Sequence, residues 1–192
     1  MLTGIVFCGG KSSRMGSDKG LLQKGSITWA ESAYQKLQCL SIKVIISVNE
    51  NQKEPYSRIF PEELLVTDSA FPVWNFEGPL RGLLTVHRHF PENDLFVLAC
   101  DMTDISIQIL NNLKSAYLQN RSTYDYFTYV NKGYTQPMCA IYSGQKLHQI
   151  YKALFDQPLV KFSLKNILSS GKTLAFQVQE SETSLFSNYN EP

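Results

Sequence analysis

Thr3-Gly4-Ile5-Val6-Phe7-Cys8-Gly9-Gly10-Lys11-Ser12-Ser13-Arg14-Met15-Gly16-Ser17-Asp18-Lys19 is the stretch on which the reading of this chain turns. A short apolar run predicts a buried strand, and it breaks at a Gly-Gly pair into a loop of small and basic residues. Glycine lets backbone come close to a ligand where a Cβ would intrude. Successive loop N–H groups can form an anion-binding nest. Arg14 and Lys19 add full positive charge, and a guanidinium can grip phosphate oxygens in a fork. The stretch predicts a phosphate or nucleotide cradle at the carboxyl end of the first strand.

The rest of the chain sets the frame around that cradle. Its 192 residues, 43% hydrophobic and 18% charged, are ordinary for a globular protein with a sizeable core. A net charge of +1 excludes bulk electrostatic attraction to nucleic acid or to an anionic membrane, so anion recognition must be local. The four cysteines, Cys8, Cys39, Cys100 and Cys139, form no Cys-x-x-Cys pair, which argues against a zinc site or a redox motif. No signal-peptide pattern opens the chain and no run reaches the ~18 apolar residues of a membrane span. The expectation is a reduced, cytoplasmic protein with no membrane and no nucleic-acid partner.

Strand and helix patterns alternate downstream. Ile27, Ala30, Tyr34 and Leu37 predict a helix over 27–39. The β-branched run 43–48 predicts a strand ending at Asn49. Residues 50–61 have room for a short helix, 64–67 form the next strand, ending at Asp68, and Pro79 suits the first turn of a helix carrying Leu80, Leu83, Leu84 and His87. Residues 95–100 are a fully apolar strand with Asp101 at its end. Continuous apolar strands linked by helices predict an α/β fold, a mostly parallel sheet covered on both faces. Ligands in such sheets bind beyond the carboxyl ends of the strands. Four such ends carry Gly9-Gly10, Asn49, Asp68 and Asp101, and that coincidence outweighs any one of them. The second half predicts a helix around 110–117, a strand over 124–130, a turn at Lys132-Gly133, a strand over 135–142, helices around 147–154 and 160–168 with Gly171 ending the latter, and a strand over 174–178. With no repeat or linker, residues 1–192 read as a single domain.

Taken alone, most of these residues have bland readings. Asp101 is as readily a helix N-cap as a ligand, Asp68 a turn residue, and Asn188 and Asn190 tail residues. His87 on an apolar helix face reads as structural. The glycine loop matches neither G-x-G-x-x-G nor the P-loop, which needs glycine at the position of Ile5.

What the loop resembles is the L-A-G-G-x-S-x-R-M-G-x-D-K signature of nucleotidyltransferases related to molybdenum cofactor guanylyltransferase. Gly9, Gly10, Ser12, Arg14, Met15, Gly16, Asp18 and Lys19 match it, and Phe7 stands in for leucine. Further segments follow in the family's order: Asp68 with Gly78-Pro79-Leu80-Arg81-Gly82, Cys100-Asp101-Met102, Gln136-Pro137-Met138-Cys139-Ala140-Ile141-Tyr142, and Phe186-Ser187-Asn188-Tyr189-Asn190-Glu191-Pro192. Cys8 replaces the usual alanine, Thr103 stands where proline often follows, the last motif lacks its threonine, and family members usually continue into a helix where this sequence stops. The resemblance implies a Rossmann-like nucleotidyltransferase fold in three αβα layers. It also implies transfer of GMP from GTP to the terminal phosphate of molybdopterin-bound molybdenum. Asp101 would hold Mg²⁺, and Arg14 and Lys19 would bind the triphosphate. Phe7, Cys8, Gly9 and Gly10 would offer backbone to the nucleotide, Asn49 and Asp68 would complete its pocket, and Gly78 and Gly82 would let backbone approach the base. Asn188 and Asn190 would hold the second substrate or the metal-bound phosphates. Cofactor-delivery or acceptor proteins would be further partners of a monomer or weak homo-oligomer. The alternatives are a cytidylyltransferase acting on molybdopterin or on a sugar or alcohol phosphate, and a catalytically silent nucleotide-binding adaptor. The Gly-Gly pair and the G-P-L-x-G segment favour guanine.

Overall fold

A computed structural model describes residues 1–8, 18–68, 78–156 and 163–187. Its centre is a sheet of seven strands: β1 (Leu2–Phe7), β4 (Lys43–Val48), β5 (Leu65–Thr67), β6 (Asp94–Ala99), β7 (Tyr126–Asn131), β8 (Tyr134–Tyr142) and β9 (Thr173–Gln177). They lie side by side in the order β5-β4-β1-β6-β8-β7-β9. A separate two-stranded ribbon pairs β2 (Gln23–Lys24) with β3 (Ile27–Thr28). The helices are α1 (Trp29–Gln38), α2 (Glu50–Ser57), α3 (Pro79–His89), α4 (Ile107–Asn120), α5 (Gly144–Asp156) and α6 (Leu164–Ser169).

The layering follows from side-chain alternation along the strands. Successive strand residues point to opposite faces. Val6, Val44, Ile46, Phe96 and Leu98 enter one core with Ala33 and Leu37 of α1, Tyr56 of α2, and Leu110 and Leu113 of α4. Ile5, Phe7, Ile45, Leu95 and Val97 enter the other with Leu83 and Leu84 of α3, Leu147 of α5 and Ile167 of α6. Because both faces are covered, β1 and β6 are buried along almost their whole length, which is why they read as unbroken apolar runs.

β1, β4, β5 and β6 are mutually parallel, whereas β8 runs antiparallel to both β6 and β7. The reversal is made by a two-residue turn at Lys132 (φ 51°) and Gly133 (φ 80°), the left-handed pair that suits a tight hairpin. β8 therefore starts at the edge where β1, β4, β5 and β6 end. Leu98 is paired with Cys139, so Pro137 and Gln136 continue past the end of β6 toward Asp101. Pro137 lies where the β7–β8 register shifts, a place in a sheet that tolerates a missing N–H. The final 3₁₀ segment Glu180–Phe186 is tied to the same edge. Asn131 Nδ2 donates to the Thr183 carbonyl at 3.1 Å, and the Phe186 ring lies 5.1 Å from that of Tyr129.

Two expectations are corrected. The first helix begins at Trp29, not at 27, because Thr28 is its N-cap: its hydroxyl accepts from Glu31 N while Glu31 reaches back to Thr28 N. Gly171 follows α6 but is not in the left-handed conformation of a glycine cap. A Cβ there would come within 2.7 Å of Asp125 Oδ2 and 2.8 Å of the Tyr126 ring, so the glycine is required by close packing. His87 is the structural residue expected. It is 1% exposed, its ring sits 6.0 Å from that of His148, and burial, then His148, lowers its pKa to about 4, keeping it neutral.

Candidate functional site at the carboxyl edge of the sheet

Lys19 and Asp101, 82 residues apart in sequence, meet beyond the ends of β1 and β6: Lys19 Nζ lies 3.1 Å from Asp101 Oδ2. Their side chains are 24% and 18% exposed, sheltered yet open to solvent. Asp101 sits in the turn after β6, and the helix that follows is capped by Ser106. The carboxylate is thus not used as an N-cap. The loop after β6 is held by further cations: Lys24 Nζ reaches Asp104 at 2.6 Å and Lys36 Nζ donates to the Thr103 carbonyl at 2.5 Å. The contact made by Thr103 uses its carbonyl, a group proline also has.

Lys19 is set by its neighbours in sequence. It opens a 3₁₀ turn, Lys19–Leu21, whose N-cap is Asp18. Asp18 accepts from Gly20 N at 3.0 Å and Tyr56 Oη at 3.0 Å through Oδ1, and from Gln52 Nε2 at 2.8 Å through Oδ2. Tyr56 is fully buried, and burial, then the Cys8 and Cys100 thiols, push its hydroxyl far above its ordinary value, so it stays a donor. Asp18, Gln52 and Tyr56 were not singled out from sequence as site residues. A readable signal existed for one of them: Asn49 and Gln52 form a capping box.

Other residues expected at the site fall into different roles. Asn49 caps α2, its Oδ1 accepting from Gln52 N at 3.1 Å, so its side-chain oxygen already has a use inside the fold. The Phe7 carbonyl accepts from Cys100 N at 3.0 Å, Cys8 N donates to the Ser47 carbonyl at 3.0 Å, and the Cys8 carbonyl accepts from Gln52 Nε2 at 2.9 Å. These backbone groups are engaged in hydrogen bonds within the fold. Gly82 lies in α3 against the sheet, where a Cβ would come within 2.8 Å of both the Phe7 ring and Ser47 Oγ. Its lack of a side chain serves helix–sheet contact. Gly78 has a φ of 89°, a conformation that favours glycine, and among the described residues nothing lies within 4 Å of where a Cβ would stand. Gly9, Gly10, Arg14, Asn188 and Asn190 lie outside the described residues.

Asp68 directly follows β5. Its Oδ1 is buried and accepts no hydrogen bond from the described residues. Burial raises its pKa to about 6, against the pull of Arg81 and with a further push from Glu50. The folded value lies above the ordinary 3.8, so stability is fully present below about pH 4 and is lost as pH rises through 6. Asp68→Asn is therefore expected to stabilise the protein at pH 8 by about 2–3 kcal/mol and to give no gain at pH 4. Thermal melts at the two pH values check this, and an equal gain at both would contradict it.

Among the described residues, no group of three or more His, Cys, Asp or Glu side chains could hold a metal ion. None of their helices is long and apolar enough to cross a membrane. A depression of about 480 Å³ opens at the opposite edge of the sheet, lined by Glu92, Asp94, Arg121, Ser143 and His148, with none of the expected site residues. Asp94 is committed there to Tyr117 Oη at 2.7 Å and Gly144 N at 2.7 Å.

Comparison with known proteins identifies the family and the fold. The chain is 29% identical over 191 residues to a probable molybdenum cofactor guanylyltransferase of Flavobacterium johnsoniae, covering 98% of this chain and 92% of that one. The fold is similar to molybdopterin-guanine dinucleotide biosynthesis protein A from Archaeoglobus fulgidus, with a TM-score of 0.74, 20% identity, and 99% and 93% of the two chains covered. It is also similar to 4-diphosphocytidyl-2C-methyl-D-erythritol synthase from Anaerococcus prevotii, with a TM-score of 0.70, 8% identity, and 98% and 90% covered. The model of the MobA-like NTP transferase domain matches residues 4–171, a span that includes Lys19, Asp68, Gly78, Gly82 and Asp101. The chain belongs to the MobA-like NTP transferase family and is a nucleotidyltransferase.

Proposed function

We propose that this protein, as one domain over residues 1–192, transfers GMP from GTP to the terminal phosphate of molybdopterin-type molybdenum cofactor. The observation that carries the reading is the meeting of Lys19 and Asp101 beyond the strand ends, at 3.1 Å. A cation and a carboxylate side by side at the ligand-binding edge of an α/β sheet suit a triphosphate with its metal ion. The names of the relatives supply the base and the acceptor.

In the reaction, an oxygen of the acceptor phosphate forms a bond to the α-phosphorus of GTP. The bond from that phosphorus to the α–β bridging oxygen breaks, and pyrophosphate leaves with the electron pair. The acceptor is already anionic near neutral pH, so no general base is needed. Lys19 and Arg14 neutralise charge on the triphosphate. Asp101 is a partly exposed carboxylate that, among the described residues, belongs to no group of three or more potential metal ligands. That fits Mg²⁺, which takes one or two protein carboxylates and fills its shell with phosphate oxygens and water. The ion, when bound, would withdraw charge from the reacting phosphates. Asp68 Oδ1, a buried acceptor without a donor from the described residues, suits the N–H groups on a guanine edge. Glycine at positions 9, 10 and 78 carries no Cβ to obstruct the nucleotide, and Asn188 and Asn190 hold the second substrate or the metal-bound phosphates. Proteins that deliver the cofactor or accept the product are the partners this reaction calls for.

The test is to supply Mg²⁺ and molybdenum cofactor with each nucleoside triphosphate in turn, following pyrophosphate and dinucleotide. Product with GTP alone is expected. Product with CTP and none with GTP would replace this reading with the cytidylyltransferase, and binding without turnover would replace it with an adaptor.

A further inference from the structure

Two side chains of helix α2 hold the turn from which Lys19 projects. Gln52 is 8% exposed and Tyr56 is fully buried. The Gln52 amide nitrogen donates twice, to the Cys8 carbonyl at 2.9 Å and to Asp18 Oδ2 at 2.8 Å. It thereby ties together the two residues that flank the glycine-rich stretch. The amide oxygen is fixed from the other side by Asn49 N at 2.9 Å, so the side chain has one orientation. Tyr56 Oη holds Asp18 Oδ1 at 3.0 Å, and its ring stacks 6.3 Å from that of Phe60. With Gly20 N on Oδ1, Asp18 has three donors for two oxygens. Both ends of this bracket are anchored in the core, and the residue after Asp18 is Lys19.

From this arrangement we propose that Gln52 and Tyr56 are positioning residues: through Asp18 they fix the backbone of Lys19 so that its ammonium is held against Asp101 before nucleotide arrives. The inference rests on the nucleotidyl-transfer reading for what Lys19 does, but not for how Lys19 is held. Preorganised charge is worth more in transfer chemistry than charge that must be gathered on binding. A lysine left to its own rotamers would lose that freedom each time substrate bound.

The experiment compares wild type with Tyr56→Phe, which removes one oxygen, and with Gln52→Leu, which removes all three amide contacts. The first readout is the rate at which an amine-reactive ester labels Lys19, mapped by peptide mass spectrometry without substrate. In either variant that still melts cooperatively, Lys19 labelling is expected to rise about three- to tenfold, while Lys43 and Lys114 are unchanged. The second readout is affinity for GTP. Tyr56→Phe is expected to weaken it about fivefold with Lys19 present, and by less than about twofold on a Lys19→Ala background. Unchanged Lys19 labelling in both variants would overturn the proposal. An equal loss of affinity on the two backgrounds would also overturn it, since the effect would then not pass through Lys19. A wild-type protein that binds no GTP would remove the guanylyltransferase reading, and the labelling result would still decide how Lys19 is held.

Discussion

Asp101→Asn is expected to lower turnover by about 10²–10³-fold while leaving the fold in place. The amide keeps the size of the carboxylate and can still accept from Lys19 through its oxygen. What it loses is the negative charge that would hold a metal ion against the phosphates. The stability cost is small because the pair is partly open to solvent, 24% and 18% exposed, and such pairs contribute about 0–1 kcal/mol. Pyrophosphate release at saturating GTP and Mg²⁺, together with a thermal melt, measures both quantities. Turnover within about threefold of wild type would remove Asp101 as the metal ligand.

Gly20→Ala is expected to damage stability and activity together. A Cβ at residue 20 would stand 1.9 Å from Tyr56 Oη and 3.1 Å from the ring carbon that bears it. The tyrosine is fully buried against Phe60 and cannot swing away. Either the ring or the 3₁₀ turn must move, and each movement breaks the hold on Asp18. Overpacking of this kind costs about 1–3 kcal/mol, a drop of roughly 2–12 °C in melting temperature for a chain of this size. The loss is expected to be partly repaired by adding Tyr56→Phe, which deletes the nearer atom. A double variant no more stable than Gly20→Ala would show that this clash is not the cause.

The fold was legible wherever burial alone decided it. β1, β4 and β6 are covered on both faces, and their sequences carry unbroken apolar runs for that reason. The reversal of β8 was half legible: Lys132-Gly133 announced the turn, but insertion of β8 between β6 and β7 is a tertiary fact with no local sign. At the site, Lys19 and Asp101 stood out because charge at a strand end is conspicuous. Asn49 stood out as a polar residue at a strand end and is engaged in capping α2, which the Gln three residues later could have shown. Tyr56 and Gln52 lie on a short helix of mostly polar residues with a proline in it, so no apolar periodicity pointed inward. Their partner, Asp18, is 34 and 38 residues away, and hydrogen bonds over that separation leave no pattern in a single sequence.

The closeness of Lys19 to Asp101 also governs how an anion in solution meets the protein. Seen from beyond about 8–10 Å, one Debye length at physiological salt, opposite charges 3.1 Å apart nearly cancel. What remains is a dipole, whose field fades faster with distance than that of a lone ammonium. With a net charge of +1 on the whole chain, this pair draws a triphosphate in no faster than ordinary diffusion would. The pull of Lys19 on an anion is thus felt at contact and not on approach. Discrimination between anions then falls to the shape and donors met after arrival, and the rate of arrival changes little with ionic strength on account of this pair.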